Sequence, residues 1–225
     1  METLIQNEHL TRQSAIIDSD TIKKLPIMVI GCGAVGSFAV LALAKMGAEN
    51  IVVYDGDDVD IVNMNNQFYR FKDIGMNKAV ALRALVHDFT GIDIKAHNTF
   101  ATPETLASFT GVVISAVDSM KVRSQLFREC VDARWWIDPR MSAEKYNQYV
   151  VDMRSTTSRD SYLKTLYTDS EAVSERCTAK STIYTALVSA SMICKAVKNL
   201  VMREPYPKSV LMDLQKSSNN VVMFQ

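Results

Sequence analysis

A glycine-rich turn, Gly31-Cys32-Gly33-Ala34-Val35-Gly36, is followed about twenty residues later by an aspartate, Asp55. The apolar run Pro26 to Ile30 leads into the turn, and Ile51 to Tyr54 leads into the aspartate. Strand, glycine turn, helix, strand and acid in that order form a nucleotide-holding fingerprint. Glycines let backbone and a helix N-terminus approach phosphate, and the acid accepts hydrogen bonds from ribose hydroxyls. The fingerprint does not separate a redox cofactor from a nucleotide that reacts. It also occurs as a plain strand-to-helix bend with no ligand.

Other residues of chemical interest stand around it in a fixed order. Arg12 and Gln13 precede the first strand. Asp57 follows Asp55, and Asn63-Met64-Asn65-Asn66-Gln67-Phe68 comes next. Gly75-Met76-Asn77-Lys78 opens another helix, and Asp118-Ser119 stands at the tip of the apolar run Gly111 to Ala116, with Arg123 after it. His9, His87 and His97 have no neighbours at metal-ligand spacing.

The elements that must position these residues alternate along the front of the chain. Ser37 to Lys45 reads as a helix with Gly47 near its end, Asn77 to Phe89 as a second, and Ile92 to Ala96 as a short strand. Residues 56–74 read as a long functional loop. Pro103 to Phe109 is a short helix with Thr102 placed to cap it. Gly111 to Ala116 is a strand buried on both faces, Met120 to Asp132 a helix, and Arg134 to Ile137 a strand with Trp135 and Trp136 at a packed edge. This alternation predicts a mainly parallel sheet. Tyr146 to Met153 then alternates as an antiparallel strand does. Residues 154–180 show no period, Ser181 to Met202 is a long helix, and Asn219 to Phe224 is a final strand or docking segment. The expected architecture is α/β, a Rossmann-like nucleotide-binding domain with a mixed, mainly parallel sheet and an antiparallel C-terminal extension. Residues 1–24 form a helical arm, 25–140 a nucleotide-binding half and 141–225 a second half.

Composition narrows the partners. Acidic and basic residues balance at 25 each in 225 residues, which gives no electrostatic case for nucleic acid or membrane. The four cysteines, Cys32, Cys130, Cys177 and Cys194, form no CxxC pair, so no zinc site is expected. A reducing, cytoplasmic setting is expected, with no signal segment and no membrane span.

The ordered motifs resemble the ThiF/MoeB family, relatives of the ubiquitin-activating enzyme, over about Arg12 to residue 202. The resemblance implies an ATP-binding domain whose residues 141–225 form the protein-substrate half, and adenylation, with ATP as reactant and Mg²⁺ beside it, of the C-terminal glycine of a ubiquitin-like or sulfur-carrier protein. It implies that Gly31, Gly33, Gly36, Asp55, Asp57, Asn63, Asn66, Asn98 and Ser119 line the nucleotide. Lys78 would supply a point charge to the phosphates and Asp118 a magnesium ligand. Arg12 would reach the phosphates of a partner chain in a homodimer or heterodimer. Each residue has a plainer alternative: Lys78 a solvated first-turn lysine, Asp118 a helix N-cap, Asn63 a turn former and Arg12 a surface arginine.

Two points complicate the resemblance. The family motif Asn-x-x-Arg-Gln has an arginine where this chain has Asn66, and an amide replaces neither the charge nor the fork of a guanidinium. Arg70 is the nearest substitute. Cys177, between Arg176 and Lys180, is either a thiol nucleophile or a loop cysteine. Three further readings stand beside adenylation of a protein: a nucleotide-binding scaffold without turnover, adenylation of a modified tRNA base, and a nicotinamide oxidoreductase. The last has little use for Lys78 or the Asn-rich loop.

Overall fold

In the computed structural model of the chain, residues 10–167 and 181–216 are described, together with the backbone of residues 221–224. Strands β1 (Ile27–Ile30), β2 (Ile51–Tyr54), β3 (Lys95–His97), β4 (Val112–Ser115) and β5 (Trp135–Ser142) run parallel to one another. Strands β6 (Lys145–Asp152), β7 (Ser209–Asp213) and β8 (Val221–Phe224) continue the sheet in antiparallel fashion. The order is β3-β2-β1-β4-β5-β6-β7-β8. The fold is thus α/β, with a parallel half and an antiparallel C-terminal extension.

Helices α1 (Ser19–Lys24), α2 (Ala34–Lys45), α3 (Lys78–Thr90), α4 (Pro103–Ala107), α5 (Met120–Glu129), α6 (Thr156–Leu163) and α7 (Ile183–Val201) cover the sheet. The central strands β1 and β4 are buried at every position, which is why their sequences are unbroken apolar runs. On one face, Val40 and Leu43 of α2, Leu82 and Leu85 of α3 and Ile193 of α7 pack on Ile27, Val29, Ile51 and Val53. On the other, Leu106, Leu126, Phe127 and Tyr162 pack on Met28, Ile30, Val113 and Trp136. Each such side chain contributes roughly 1.5–3 kcal/mol by leaving water.

Four details depart from the sequence expectations. Trp135 and Trp136 are not at an edge: β5 lies between β4 and β6, and Trp136 is fully buried against Phe127. Strand β3 begins at Lys95 and not at Ile92, because Gly91 ends α3 in the left-handed region and the Thr90 hydroxyl takes the Ile92 N–H. Helix α6 and strand β7 have no counterpart in the expectations. The α6 stretch (TTSRDSYL) has only Tyr162 buried, too few apolar anchors to show a period. Strand β7 is recognisable only through its pairing with β6 and β8.

Candidate nucleotide site

Strands β1 and β4 are parallel neighbours whose chains leave toward opposite faces of the sheet. The helix after β1, α2, joins one core, and the helix after β4, α5, joins the other. A crevice opens beyond the carboxyl ends of strands at such a point. Here the two connections touch. Gly31 has φ +94°, and a Cβ on it would lie 2.7 Å from the Ala116 carbonyl oxygen. A Cβ on Gly36 would lie 1.9 Å from the Gly31 carbonyl oxygen, so only glycine closes this turn. Gly33 is the N-cap of α2 and supplies no side-chain acceptor to its first amides. The turn therefore fits a phosphate: open backbone, a helix N-terminus and no side chain in the way.

The acid at the tip of β2 is fixed from two sides. Asp55 Oδ2 accepts the Cys32 N–H at 2.6 Å and Oδ1 accepts the Asp57 N–H at 2.9 Å. Burial raises the Asp55 pKa, and these two amides and Lys78 act in the opposite sense.

Lys78 is brought to the same place by its predecessor. Asn77 caps α3 by accepting the Val80 N–H at 3.2 Å. Its Nδ2 donates to the carbonyls of Asp55 at 2.9 Å and Asp57 at 3.0 Å. Lys78 then lies buried along its stem, with Nζ 3.2 Å from Asp57 Oδ2. The Tyr69 hydroxyl donates to the Cys32 carbonyl at 2.6 Å, with the Lys78 carbonyl at 3.2 Å. Turn, acid and lysine thus form one cross-braced unit. The sequence reading gave no role to Asn77, Tyr69 or Gln67. Asn77 carried a signal, an N-cap residue ahead of an apolar helix. Tyr69 carried none, because its partners are backbone carbonyls.

Asp118 is exposed and makes no hydrogen bond or ion pair with the described residues. It is not the cap of α5. Ser119 is, accepting the Val122 N–H at 3.3 Å. The loop that carries Asp118 is held from behind by Arg123, which donates to the Val117 carbonyl. Arg123 Nε lies 2.6 Å from Asp138 Oδ1, close enough for an ion pair though not aligned as a hydrogen bond. Asp138 is fully buried, and its Oδ2 also accepts from Arg140 Nε at 2.7 Å and the Tyr162 hydroxyl at 2.8 Å.

The asparagine loop is engaged elsewhere. Asn63 Oδ1 accepts the Asp60 N–H at 3.1 Å, which is the turn-forming role. Asn66 donates to the Ser181 hydroxyl just ahead of α7. Its own oxygen and that of Gln67 are buried without partners among the described residues. Arg70 is tied to two carboxylates. Its Nε and Nη2 hold Asp73 at 2.9 Å each, and Nη1 holds Asp88 at 2.6 Å. Asn98 is exposed on the loop after β3.

Arg12 stands apart from this cluster. It is exposed on a short 3₁₀ turn, Thr11–Gln13, docked where Gln13 donates to the Met46 carbonyl at 2.8 Å. That is the far end of α2, about 18 Å along the helix from the glycine turn. Cys177 and His9 lie outside the described residues. Of the other cysteines, Cys32 and Cys130 are buried and Cys194 is partly buried: burial, and secondly Asp55, push the Cys32 thiol well up, and burial takes Cys130 and Cys194 to about 12. Among the described residues there is no cluster of three metal-ligating side chains, and no helix is long and apolar enough to cross a membrane. A lone carboxylate suits magnesium, which takes one or two of them and fills its sphere with phosphate and water oxygens.

Known proteins resemble the chain in sequence and in fold. The tRNA threonylcarbamoyladenosine dehydratase of Bacillus subtilis (strain 168) is 35% identical over 118 residues, covering 50% of this chain and 46% of that protein. The ubiquitin-like modifier-activating enzyme 5 of Caenorhabditis briggsae is 26% identical over 157 residues, covering 63% of this chain and 36% of that protein. The chain thus spans less than half the length of these curated relatives. Among solved structures, PaaA superposes with a TM-score of 0.77 at 18% identity, covering 96% of this chain and 73% of PaaA. MccB of E. coli, crystallised with ATP, superposes with a TM-score of 0.76 at 16% identity, covering 97% of this chain and 72% of MccB. The ThiF family matches from residue 10 to residue 225; the chain belongs to that family.

Proposed function

We propose that this protein adenylates a carboxylate on a protein partner, the C-terminal glycine of a ubiquitin-like or sulfur-carrier protein, at the expense of ATP. The observation that carries the reading is the pairing of one buried-stem lysine, Lys78, with one unengaged carboxylate, Asp118, on either side of a glycine turn built for phosphate. A nicotinamide site has no need of either group. In the reaction the acceptor carboxylate oxygen forms a bond to the α-phosphorus, the bond to pyrophosphate breaks, and pyrophosphate leaves. Asp55 orients the ribose, the α2 N-terminus and Lys78 bear the charge shifting over the phosphates, and Asp118 would hold Mg²⁺. When bound, that ion supplies Lewis-acid charge to the phosphate oxygens. Arg12, too far from its own turn, fits delivery to a second chain. Cys177 is the candidate for a subsequent thiol step.

The test is isotope exchange from labelled pyrophosphate into ATP, with Mg²⁺ and candidate acceptors. Exchange that needs a glycine-ended protein supports the reading, and Asp118→Ala should then abolish it. A second reading, adenylation of a modified tRNA base, is favoured by the likeness to the tRNA dehydratase and disfavoured by the balanced charge. Exchange that needs tRNA in place of protein would select it. ATP binding without exchange for any acceptor would mark a nucleotide-binding scaffold. That reading draws on the absence of a guanidinium at Asn66 and the engagement of Arg70.

A further inference from the structure

We propose that Phe100, seated on Gly56, is the stacking surface for the nucleotide base and gives the site its preference for a purine. The inference rests on the nucleotide reading above and concerns a residue that reading does not use.

The direction of the base follows from strand order. Phosphate belongs at the turn after β1, and ribose at Asp55 on the tip of β2. The base lies on the far side of the ribose from the phosphates, so it is carried outward past β2, toward β3. The loop after β3 is Asn98-Thr99-Phe100. Phe100 is 63% exposed. A lone exposed apolar side chain is ordinary, but this one is not loose. Its ring carbons Cδ2, Cε2 and Cζ lie 2.8–2.9 Å from where a Cβ on Gly56 would be, so the ring sits in the space that the missing side chain leaves. Gly56 is the residue directly after the ribose acid.

The loop is also anchored at both ends. The His97 ring stacks on Tyr54 at 4.4 Å between centroids and 6° between planes, and the His97 carbonyl accepts the Asp55 N–H at 3.3 Å. On the other side the chain turns into α4 at Pro103, with the Thr102 N–H held by the Thr105 hydroxyl at 3.0 Å. Phe100 is thus presented from a fixed support, covered on the Gly56 side and otherwise open. Aromatic–base stacking grows with the π-surface shared, so a purine gains more than a pyrimidine.

The experiment measures binding to the full chain by calorimetry, using ATP, CTP and inorganic tripolyphosphate, which has no base. The wild type should bind ATP more tightly than CTP. Phe100→Ala should weaken ATP by about tenfold, bring it close to CTP and leave tripolyphosphate unchanged, with Tm nearly unaltered because the ring is exposed. Phe100→Trp should restore ATP affinity. Gly56→Ala, whose methyl would displace the ring, should reproduce the loss, and the double variant should be no weaker than the worse single. Unchanged ATP affinity in Phe100→Ala, or equal loss of ATP and tripolyphosphate, overturns the proposal and leaves the nucleotide reading standing. A wild type that binds no ATP overturns both.

Discussion

At the scale of single residues, the notable fact is where the charges point. Lys78 faces Asp57, Arg70 faces Asp73 and Asp88, and Arg123 faces Asp138. Of these three cations, Arg70 and Arg123 are each paired with a buried carboxylate, whereas the carboxylate that holds Lys78 is largely exposed and could be displaced by a phosphate. Relative to the family motif, Asn66 puts an amide where a guanidinium is expected, which would leave the proposed site one positive charge short. Asn66→Arg should raise the pyrophosphate-exchange kcat by about tenfold or more, since an arginine on transferring phosphate can be worth far more than that. An unchanged rate would mean that the missing charge comes from elsewhere, with Arg12 of a second chain the first candidate. Much at this scale was legible: the glycines, Asp55, Lys78 and Asp118 were visible as types at set spacings. What was not legible is engagement. Nothing in the order of residues tells that Arg70 is tied up, or that Ser119 and not Asp118 caps α5. Those facts depend on side chains meeting across 18 residues or across one helix turn.

Among the elements, the loop between β2 and α3 shows how a segment with little regular structure is kept rigid. Its anchor is Asp73, 1% exposed, bound by Arg70. Burial works to raise the Asp73 pKa, but the Arg70 hydrogen bonds and charge outweigh it and hold the carboxyl below its ordinary 3.8. A depressed carboxyl pKa contributes stability that is present above the unfolded value and is lost as pH falls through the folded one. Arg70→Ala should accordingly cost about 2–3 kcal/mol near neutrality, because it leaves a buried carboxylate unpaired. In thermal melts that is a fall of about 5–10 °C. The gap between variant and wild type should close as the pH drops below the Asp73 pKa. A gap that persists in acid would assign the loss to packing of the Arg70 stem. The elements most legible in the sequence are those with strong periods or unbroken apolar runs, among them α2, α3, β1, β2 and β4. Those it hid are amphipathic only in context. Helix α6 owes its place to Tyr162 reaching Trp136 and Asp138, and β7 to pairing partners on either side.

For the molecule as a whole, the two ends of α2 have different duties. Its N-terminus faces the proposed nucleotide, and its C-terminus carries the turn with Arg12. If Arg12 serves another chain, inactive variants should complement each other. Equal amounts of Arg12→Ala and Lys78→Ala, each inactive alone, should regain about a quarter of wild-type exchange when mixed, since half the dimers hold one intact site. Zero recovery, with exchange of subunits shown by mass, would mean that Arg12 does not act across the dimer, and full activity of Arg12→Ala alone would leave it a surface residue.

The hydrogen bond from Asn66 to Ser181 joins positions 115 residues apart, one in the loop beside the glycine turn and one at the threshold of α7. Ser181 also bridges to Ala143, at the bend between β5 and β6. Whatever draws Asn66 toward a ligand has to release Ser181, and whatever displaces Ser181 frees Asn66. Free energy linked in this way is reciprocal. Should a ligand at the turn break this hydrogen bond, that ligand and a partner at the α7 threshold would change each other's affinity by the same factor. Asn66 would then couple the loop beside the glycine turn to the bend between β5 and β6.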